Sequence, residues 1–154
     1  MIVMGIDPGT RCMGWAVIEK QDRSLLLKEC GAISSSSRSV SERLVHIHKT
    51  LSTIMERFKP SCLVIEKVFV AKNPSSALTL GYARGIAMMT AALYESDIQE
   101  YAATTVKKRL TGYGHASKEQ MVAMIERLFR VSLPHDVADA VALAFCHCQN
   151  VIQN

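Results

Sequence analysis

The stretch MIVMGIDPGT, residues 1–10, places Asp7 at the end of a short apolar run and directly before the turn residues Pro8 and Gly9. A second apolar run, LVI at residues 63–65, ends in the same way at Glu66. Short apolar runs bounded by turn residues are typical of buried strands. A strand–helix–strand unit sets two such strands side by side and parallel. We therefore predict that Asp7 and Glu66 meet at one edge of a sheet.

Outward from this pair, strand-like and helix-like segments follow one another along the chain. Strands are predicted at residues 2–7, 14–19, 25–33, 61–66 and 98–102, and helices at 41–58, 75–95, 104–110, 117–129 and 134–149. Ser117 followed three residues later by Gln120 is the sequence signature of a capping box. We predict an α/β fold, with a mixed five-stranded sheet flanked by helices, in a single domain of residues 1–154.

The composition indicates an ordered protein without membrane spans or disulfides. Hydrophobic residues make up 49% of the 154 residues and charged residues 21%. No apolar stretch has the length of a membrane span, and the N-terminus has no features of a secretion signal. The five cysteines include no CxxC pair, and neighbouring side chains in Cys146-His147-Cys148 would point apart on a helix. We expect a cytoplasmic protein, without membrane association, in which residues 146–148 divide between a helix core and the surface.

Two further acids lie on the final predicted helix. Asp136 and Asp139 are three residues apart and share one face, and Asp139 interrupts an otherwise apolar stretch. Each acid could also have a purely structural role. Asp7 could be a turn residue, and Glu66 could be a charge at a strand end that reaches solvent. Asp136 would suit the first turn of a helix, and Asp139 could pair with a basic residue. Because burying unpaired carboxylates is costly, the four together favour a cation site.

The chemistry of this acid set points to phosphoryl transfer. Carboxylate oxygens suit magnesium or manganese, and two divalent ions would offset four negative charges and serve both ends of a phosphodiester displacement. The chain has a net charge of +4, and the segment from Tyr101 to Lys118 contains lysines and arginine but no acid. That segment is either a phosphate-binding surface or a solvated helix face. The combination favours chemistry on a nucleic acid.

The helix predicted at residues 75–95 is apolar or small on nearly every side. A helix of this composition is buried on more than one side. One side can cover the sheet, and small residues such as Gly81 and Gly85 would allow a second helix to approach closely. We predict that this second helix belongs to another subunit.

Four segments together resemble the RuvC family of bacterial Holliday junction resolvases. They are GIDPGT at residues 5–10, VIEKVF at 64–69, AKNPSSA at 71–77 and DVADA at 136–140. The resemblance covers essentially the whole chain and implies a ribonuclease-H-like fold and a homodimer. It implies cleavage of four-way DNA junctions by paired nicks in opposing strands, in recombination and repair. Two Mg²⁺ ions per subunit, replaceable by Mn²⁺, and partnership with the RuvA–RuvB branch-migration complex are implied as well.

The resemblance also assigns roles to individual residues. The catalytic, metal-binding acids of the family fall on Asp7, Glu66, Asp136 and Asp139. Some members carry histidine at the position of Asp136, and we transfer no ligand role to the neighbouring His135.

The DNA contacts of the family fall on Phe69, Lys107 and Lys118. An exposed aromatic ring shortly after Glu66 could stack on an opened base, whereas the alternative is a loop residue packed in the core. Lys107 and Lys118 belong to the acid-free segment described above.

Three other functions fit parts of the sequence. The turn at residues 7–10 also resembles the phosphate turn of actin-like and sugar-kinase-like ATPases, but those need a second lobe for which 154 residues leave no room. A non-catalytic junction-binding module of the same fold would not need all four acids. A related nuclease acting on another nucleic acid would share the motif chemistry and differ only in its substrate.

Overall fold

The computed structural model describes residues 1–22, 24–67 and 74–150. In chain order its elements are β1 (Ile2–Asp7), β2 (Cys12–Gln21), β3 (Ser24–Ser34), α1 (Val40–Phe58), β4 (Cys62–Glu66), α2 (Pro74–Leu93), β5 (Asp97–Tyr101), α3 (Ala103–Thr111), α4 (Lys118–Phe129) and α5 (His135–Asn150). The strands form one sheet in the order β3-β2-β1-β4-β5. Strand β1 is antiparallel to β2 and parallel to β4. The predicted mixed sheet and the parallel pairing of the first and fourth strands are confirmed.

The ends of the elements follow local pairing and capping. Strands β2 and β3 are longer than predicted because they pair with each other from Cys12 and Ser34 to the turn that joins them. The predicted capping box of α4 is confirmed, since the Ser117 hydroxyl accepts from the Gln120 amide and the Gln120 side chain accepts from the Ser117 amide. The local sequence signal at Ser117 therefore predicts the start of α4 correctly.

Helices cover both faces of the sheet. Helices α1 and α2 pack on the face that includes Met4 and Ile6, and helices α3, α4 and α5 pack on the face that includes Val3. Because successive strand residues point to opposite faces, a strand covered on both sides is apolar at every position. Among the described helices, none combines the length and apolar character needed to cross a membrane.

Helix α5 lies directly on the backbone of the two central strands. A Cβ atom added at Gly5 of β1 would lie 2.0 Å from the carbonyl oxygen of Ala140. One added at Gly14 of β2 would lie 2.0 Å from the carbonyl oxygen of Asp136. Only a residue without a side chain permits so close an approach. The two glycines therefore fix the position of α5 over the sheet, and with it the position of Asp136.

Candidate active site

The carboxyl ends of β1 and β4 bring two of the predicted acids side by side. Ile6 pairs with Ile65 in the parallel register, and the next residues along the two strands are Asp7 and Glu66. Both acids thus lie at the edge where open α/β sheets usually place their sites. The structure brings this pair together as the strand pattern predicted.

Helix α5 brings the other two acids to the same edge. The carbonyl group of Asp136 packs against Gly14, and Gly14 is the partner of Asp7 in the β1–β2 ladder. Asp139 lies about one helical turn further along α5. The carboxylate of Asp7 interacts electrostatically with each of the three other acids, so the four form a single cluster.

A cleft of about 380 Å³ opens at this cluster. The functional candidates that line it are Asp7, Glu66, Asp139, Lys107 and Lys118. The Nζ atom of Lys118 lies 3.8 Å from Oδ2 of Asp139. The cleft therefore combines carboxylates with lysines from the acid-free segment, although the two groups were identified separately in the sequence.

The cluster holds more negative charge than its surroundings neutralise. Burial, followed by the charges of the neighbouring acids, raises the pKa of Asp7 from 3.8 to about 7. Burial also raises the pKa of Asp139 and of Glu66, and Lys107 and Lys118 oppose both shifts. Glu66 is exposed as a whole residue, but its carboxylate is partly buried in the cleft, and this burial raises its pKa. A site of this kind favours a bound cation.

The raised pKa of Asp7 predicts how stability depends on pH in the presence of a chelator. Well below pH 3.8 the residue is protonated in the folded and unfolded states alike. As the pH rises towards 7, Asp7 ionises in the unfolded chain but stays largely protonated in the folded chain. Ionisation therefore stabilises the unfolded state, and the free energy of unfolding decreases. Each unit of difference between the folded and unfolded pKa of Asp7 corresponds to about 1.4 kcal/mol. The rise from 3.8 to about 7 therefore limits the loss in the free energy of unfolding to about 4 kcal/mol.

Urea unfolding of the wild type and of Asp7→Asn with chelator, from pH 4.5 to 7.5, measures this effect. We expect the wild type to lose stability relative to Asp7→Asn as the pH rises. Parallel curves for the two proteins would contradict the assigned environment of Asp7.

The donor set fits a hard divalent cation. All four acids offer oxygen donors, which magnesium and manganese prefer. Within the described ranges, no three His, Cys, Asp or Glu side chains are close enough to enclose a metal ion. Asp7, Glu66 and Asp139 line an open cleft instead, and this is compatible with magnesium, which usually binds one or two carboxylates together with water and substrate phosphate. One or two of these three acids would hold such an ion, with Asp136 beside them.

Arg84 of α2 is a residue near the site that the sequence patterns did not single out. Its guanidinium donates to the backbone carbonyl oxygen of Glu66 and forms an ion pair with Glu100. It thereby ties α2 to the end of β4 that carries Glu66. Arg84 is the only charged residue at positions 75–94, and a lone charge in an apolar helix is the signal that could have identified it.

The Cys146-His147-Cys148 segment lies beyond the acids along α5. The ring of His147 is buried and hydrogen-bonds through Nδ1 to the Tyr101 hydroxyl at 2.9 Å, while Cys146 and Cys148 are buried and unpaired. The segment was predicted to divide between core and surface, and the surface part of that prediction is wrong, because all three side chains are buried. Phe69 lies outside the described residues, and its contact with a base stays a prediction.

The sheet order and the acidic cleft at the strand ends define a ribonuclease-H-like enzyme. A family model described as crossover junction endodeoxyribonuclease RuvC matches residues 3–147. The chain therefore belongs to the RuvC family, as the four sequence segments had indicated.

Similar proteins agree with this assignment. Crossover junction endodeoxyribonuclease RuvC of Roseiflexus sp. (strain RS-1) is 43% identical over 148 residues, which are 94% of this chain and 88% of the relative. The RuvC protein of Lawsonia intracellularis is 44% identical over 148 residues, with the same coverage. The structure of T. thermophilus RuvC in complex with Holliday junction substrate is similar with a TM-score of 0.92, at 27% identity, over 99% of this chain and 96% of that chain.

Proposed function

We propose that the protein resolves four-way DNA junctions by metal-dependent hydrolysis of phosphodiester bonds in two opposing strands, during recombination and repair. The observation that carries this proposal is a cleft lined by both carboxylates and lysines in a chain of the RuvC family. The junction-bound relative from T. thermophilus shares the fold along nearly the whole chain, which supports a four-way junction as the substrate.

The acids and the lysines of the cleft have separate roles in this proposal. The four acids bind magnesium, two ions per subunit, with manganese as a substitute. When held by these acids, divalent ions would supply an activated water and would stabilise the leaving 3′ oxygen. Asp7 retains the ions through its negative charge and is not itself the base. Lys107 and Lys118 hold the DNA backbone against the acids by neutralising its phosphates.

Cleavage of a synthetic four-way junction, beside a linear duplex of the same sequence, tests this function. With magnesium we expect paired nicks in the junction that DNA ligase can seal, and far less cleavage of the duplex. With chelator we expect none. Equal cleavage of both substrates would indicate a nuclease with another target. Junction binding without cleavage at any divalent ion concentration would indicate a binding module.

Family membership supports three further proposals. These are partnership with the RuvA–RuvB branch-migration complex, a cytoplasmic location, and a single nuclease domain spanning residues 1–154. Binding of purified RuvA–RuvB to the protein on junction DNA tests the first, because additive binding without mutual enhancement would contradict a partnership. Limited proteolysis tests the third.

The double variant Lys107→Ala, Lys118→Ala should weaken junction binding in a salt-dependent way. Each phosphate contact releases counterions, so its loss lowers the slope of log affinity against log salt by about one unit. We expect a decrease of about two units, measured by titration in calcium or chelator at several salt concentrations.

A matched control removes two positive charges elsewhere. Lys49 and Lys59 are exposed, on α1 and just beyond its end, and α1 covers the other face of the sheet. We expect Lys49→Ala, Lys59→Ala to leave the slope nearly unchanged. Equal slopes for the two double variants would show that Lys107 and Lys118 do not contact phosphates.

A stripe of exposed apolar and small residues runs along the outer face of α2. Its members are Leu78, Gly81, Tyr82, Gly85, Met89, Ala92 and Leu93. They recur at three- and four-residue spacing, which places them on one side of the helix. Cβ atoms added at Gly81 and Gly85 would meet nothing within 4 Å, so another helix can approach closely. We propose a homodimer built on α2, whose two-fold symmetry matches the two strands to be cut.

Met89→Glu should dissociate this dimer. The substitution places a charge without a partner in an apolar contact, and we expect the dimer dissociation constant to rise at least about 30-fold. Sedimentation at several concentrations measures it, with circular dichroism to verify folding. Leu128→Glu is the control, since Leu128 on α4 is similarly exposed, 46% against 44% for Met89, on the other face of the sheet.

The monomer has its own expected behaviour. A folded Met89→Glu monomer should still bind metal but make single nicks, because one site cuts one strand per encounter. If Met89→Glu and Gly85→Arg both fold and stay dimeric at low concentration, the interface lies elsewhere.

A further inference from the structure

Two exposed arginines, Arg11 before β2 and Arg38 after β3, lie on the side of the acid cluster opposite to Lys107 and Lys118. We propose that Arg11 and the loop at residues 34–39, which reads SSSSRS, form a second phosphate-binding surface for the junction. We call residues 34–39 the serine loop. This inference rests on the proposed function, since it assumes that junction DNA occupies the cleft.

The register of the sheet fixes the position of the serine loop. Cys12 at the start of β2 pairs with Ser34 at the end of β3, and the Ser35 amide donates to the carbonyl oxygen of Arg11 at 3.0 Å. The Cys12 thiol interacts with the side chains of both Ser34 and Asp136. The serine loop therefore flanks the cluster on the side of Asp136.

The lysines flank the cluster on the other side. The Nζ atom of Lys118 lies 3.8 Å from Oδ2 of Asp139. Lys107 lies on α3 and Lys118 is the first residue of α4, and both helices follow β5, the strand at the far edge of the sheet. Strands β3 and β2 lie on one side of β1, and β4 and β5 lie on the other. A DNA strand whose phosphate is held at the acids and Lys118 would thus continue towards the serine loop.

A buried arginine of α1 fixes the backbone of the serine loop through hydrogen bonds. Arg43 of α1 is only 5% exposed, and its Nη1 atom donates to the carbonyl oxygens of Ser37 at 2.8 Å and Arg38 at 3.2 Å. The Ser37 hydroxyl also accepts from the Ser39 amide at 3.1 Å. The loop is therefore ordered before any ligand binds, which reduces the entropy lost on binding.

The exposed groups of this surface have the chemistry of a phosphate contact. The side chains of Arg11 and Arg38 are exposed, and in the part of the chain that the structure describes neither forms an ion pair. Ser34 and Ser36 are exposed as well. Arginine and serine side chains commonly bind DNA phosphates without reading the sequence. Arg43 adds a buried positive charge at the loop, and the carboxylate of Glu42, which accepts from the Ser37 hydroxyl, offsets part of it.

The double variant Arg11→Ala, Arg38→Ala tests the inference by junction binding at several salt concentrations. We expect the slope of log affinity against log salt to fall by about two units, as each lost phosphate contact lowers it by about one. Lys49→Ala, Lys59→Ala again serves as the control with two charges removed. Arg38→Ala alone provides a second variant further from the acids, with an expected decrease of about one unit.

The outcomes separate this inference from the proposed function. If the wild type neither prefers nor cuts the four-way junction, the proposed function fails and the surface has no junction to bind. If the wild type binds and cuts the junction but both arginine variants keep its salt slope, the serine loop does not contact phosphates. Circular dichroism of each variant excludes loss of folding as the cause of weaker binding.

Discussion

Asp7→Asn is expected to abolish junction cleavage while the protein still binds the junction. Asparagine preserves the shape of the side chain but removes the charge that would retain a divalent ion. Such an ion contributes several kcal/mol to the transition state, so we expect the cleavage rate to fall by about 10³-fold or more. Single-turnover cleavage and binding in calcium, measured on the same junction, separate the two effects.

The other acids and a surface acid complete this experiment. Glu66→Gln, Asp136→Asn and Asp139→Asn should show the same loss of cleavage with binding retained. Asp97→Asn is the matched control, because Asp97 is exposed at the start of β5, away from the carboxyl ends of the strands. Cleavage by Asp7→Asn within a few-fold of the wild type would remove Asp7 from the site. If Asp136→Asn is the one acid variant that still cleaves, Asp136 is not a metal ligand and serves only as an acid in the first turn of α5.

Gly14→Ala is expected to destabilise the protein strongly. The new Cβ atom would lie 2.0 Å from the carbonyl oxygen of Asp136, so α5 must move away from the sheet. Overpacking against backbone that cannot rotate aside should lower the free energy of unfolding by roughly 3 kcal/mol or more. Urea unfolding measures the loss. Gly5→Ala should behave similarly, because its Cβ atom would meet the carbonyl oxygen of Ala140.

A glycine with open space around it is the control for this prediction. The control is Gly81→Ala in the monomeric Met89→Glu background, because Gly81 belongs to the proposed dimer contact. In the single chain an added Cβ atom at Gly81 meets nothing within 4 Å, and replacing a helical glycine by alanine usually stabilises by about 0.5–1 kcal/mol. A Gly14→Ala variant that remains folded should bind divalent ions less tightly, since Asp136 moves with α5. Wild-type stability of Gly14→Ala would show that α5 does not rest on the backbone of β2.

Sequence patterns were sufficient for the sheet and for the acid pair on it. Asp7 and Glu66 each end an apolar run, and the strand–helix–strand connection leaves few ways to arrange those runs other than parallel and adjacent. The basic segment was recognisable because residues 101–118 contain no acid, but only the family resemblance singled out Lys107 and Lys118 within it. These are local signals or follow from general rules of chain topology.

Other features depend on contacts between distant residues and could not be predicted. A glycine within a strand signals a close approach by some backbone, but neither Gly5 nor Gly14 indicates that the approaching backbone belongs to α5. Arg84 stood out by its charge, yet its partner, the carbonyl oxygen of Glu66, is visible only in the folded structure. Phe69 lies outside the described residues, so its role still rests on resemblance.

The placement of two acids on α5 has a consequence for biosynthesis. The ribosome delivers Asp7 and Glu66 well before Asp136 and Asp139, because the chain emerges from its N-terminal end. Until α5 has been made, the sheet lacks the helix that rests on Gly5 and Gly14, and one apolar face remains partly uncovered. A nascent chain without α5 therefore has half of the acid cluster. We therefore expect nuclease activity to begin only after the segment that completes the core has been synthesised.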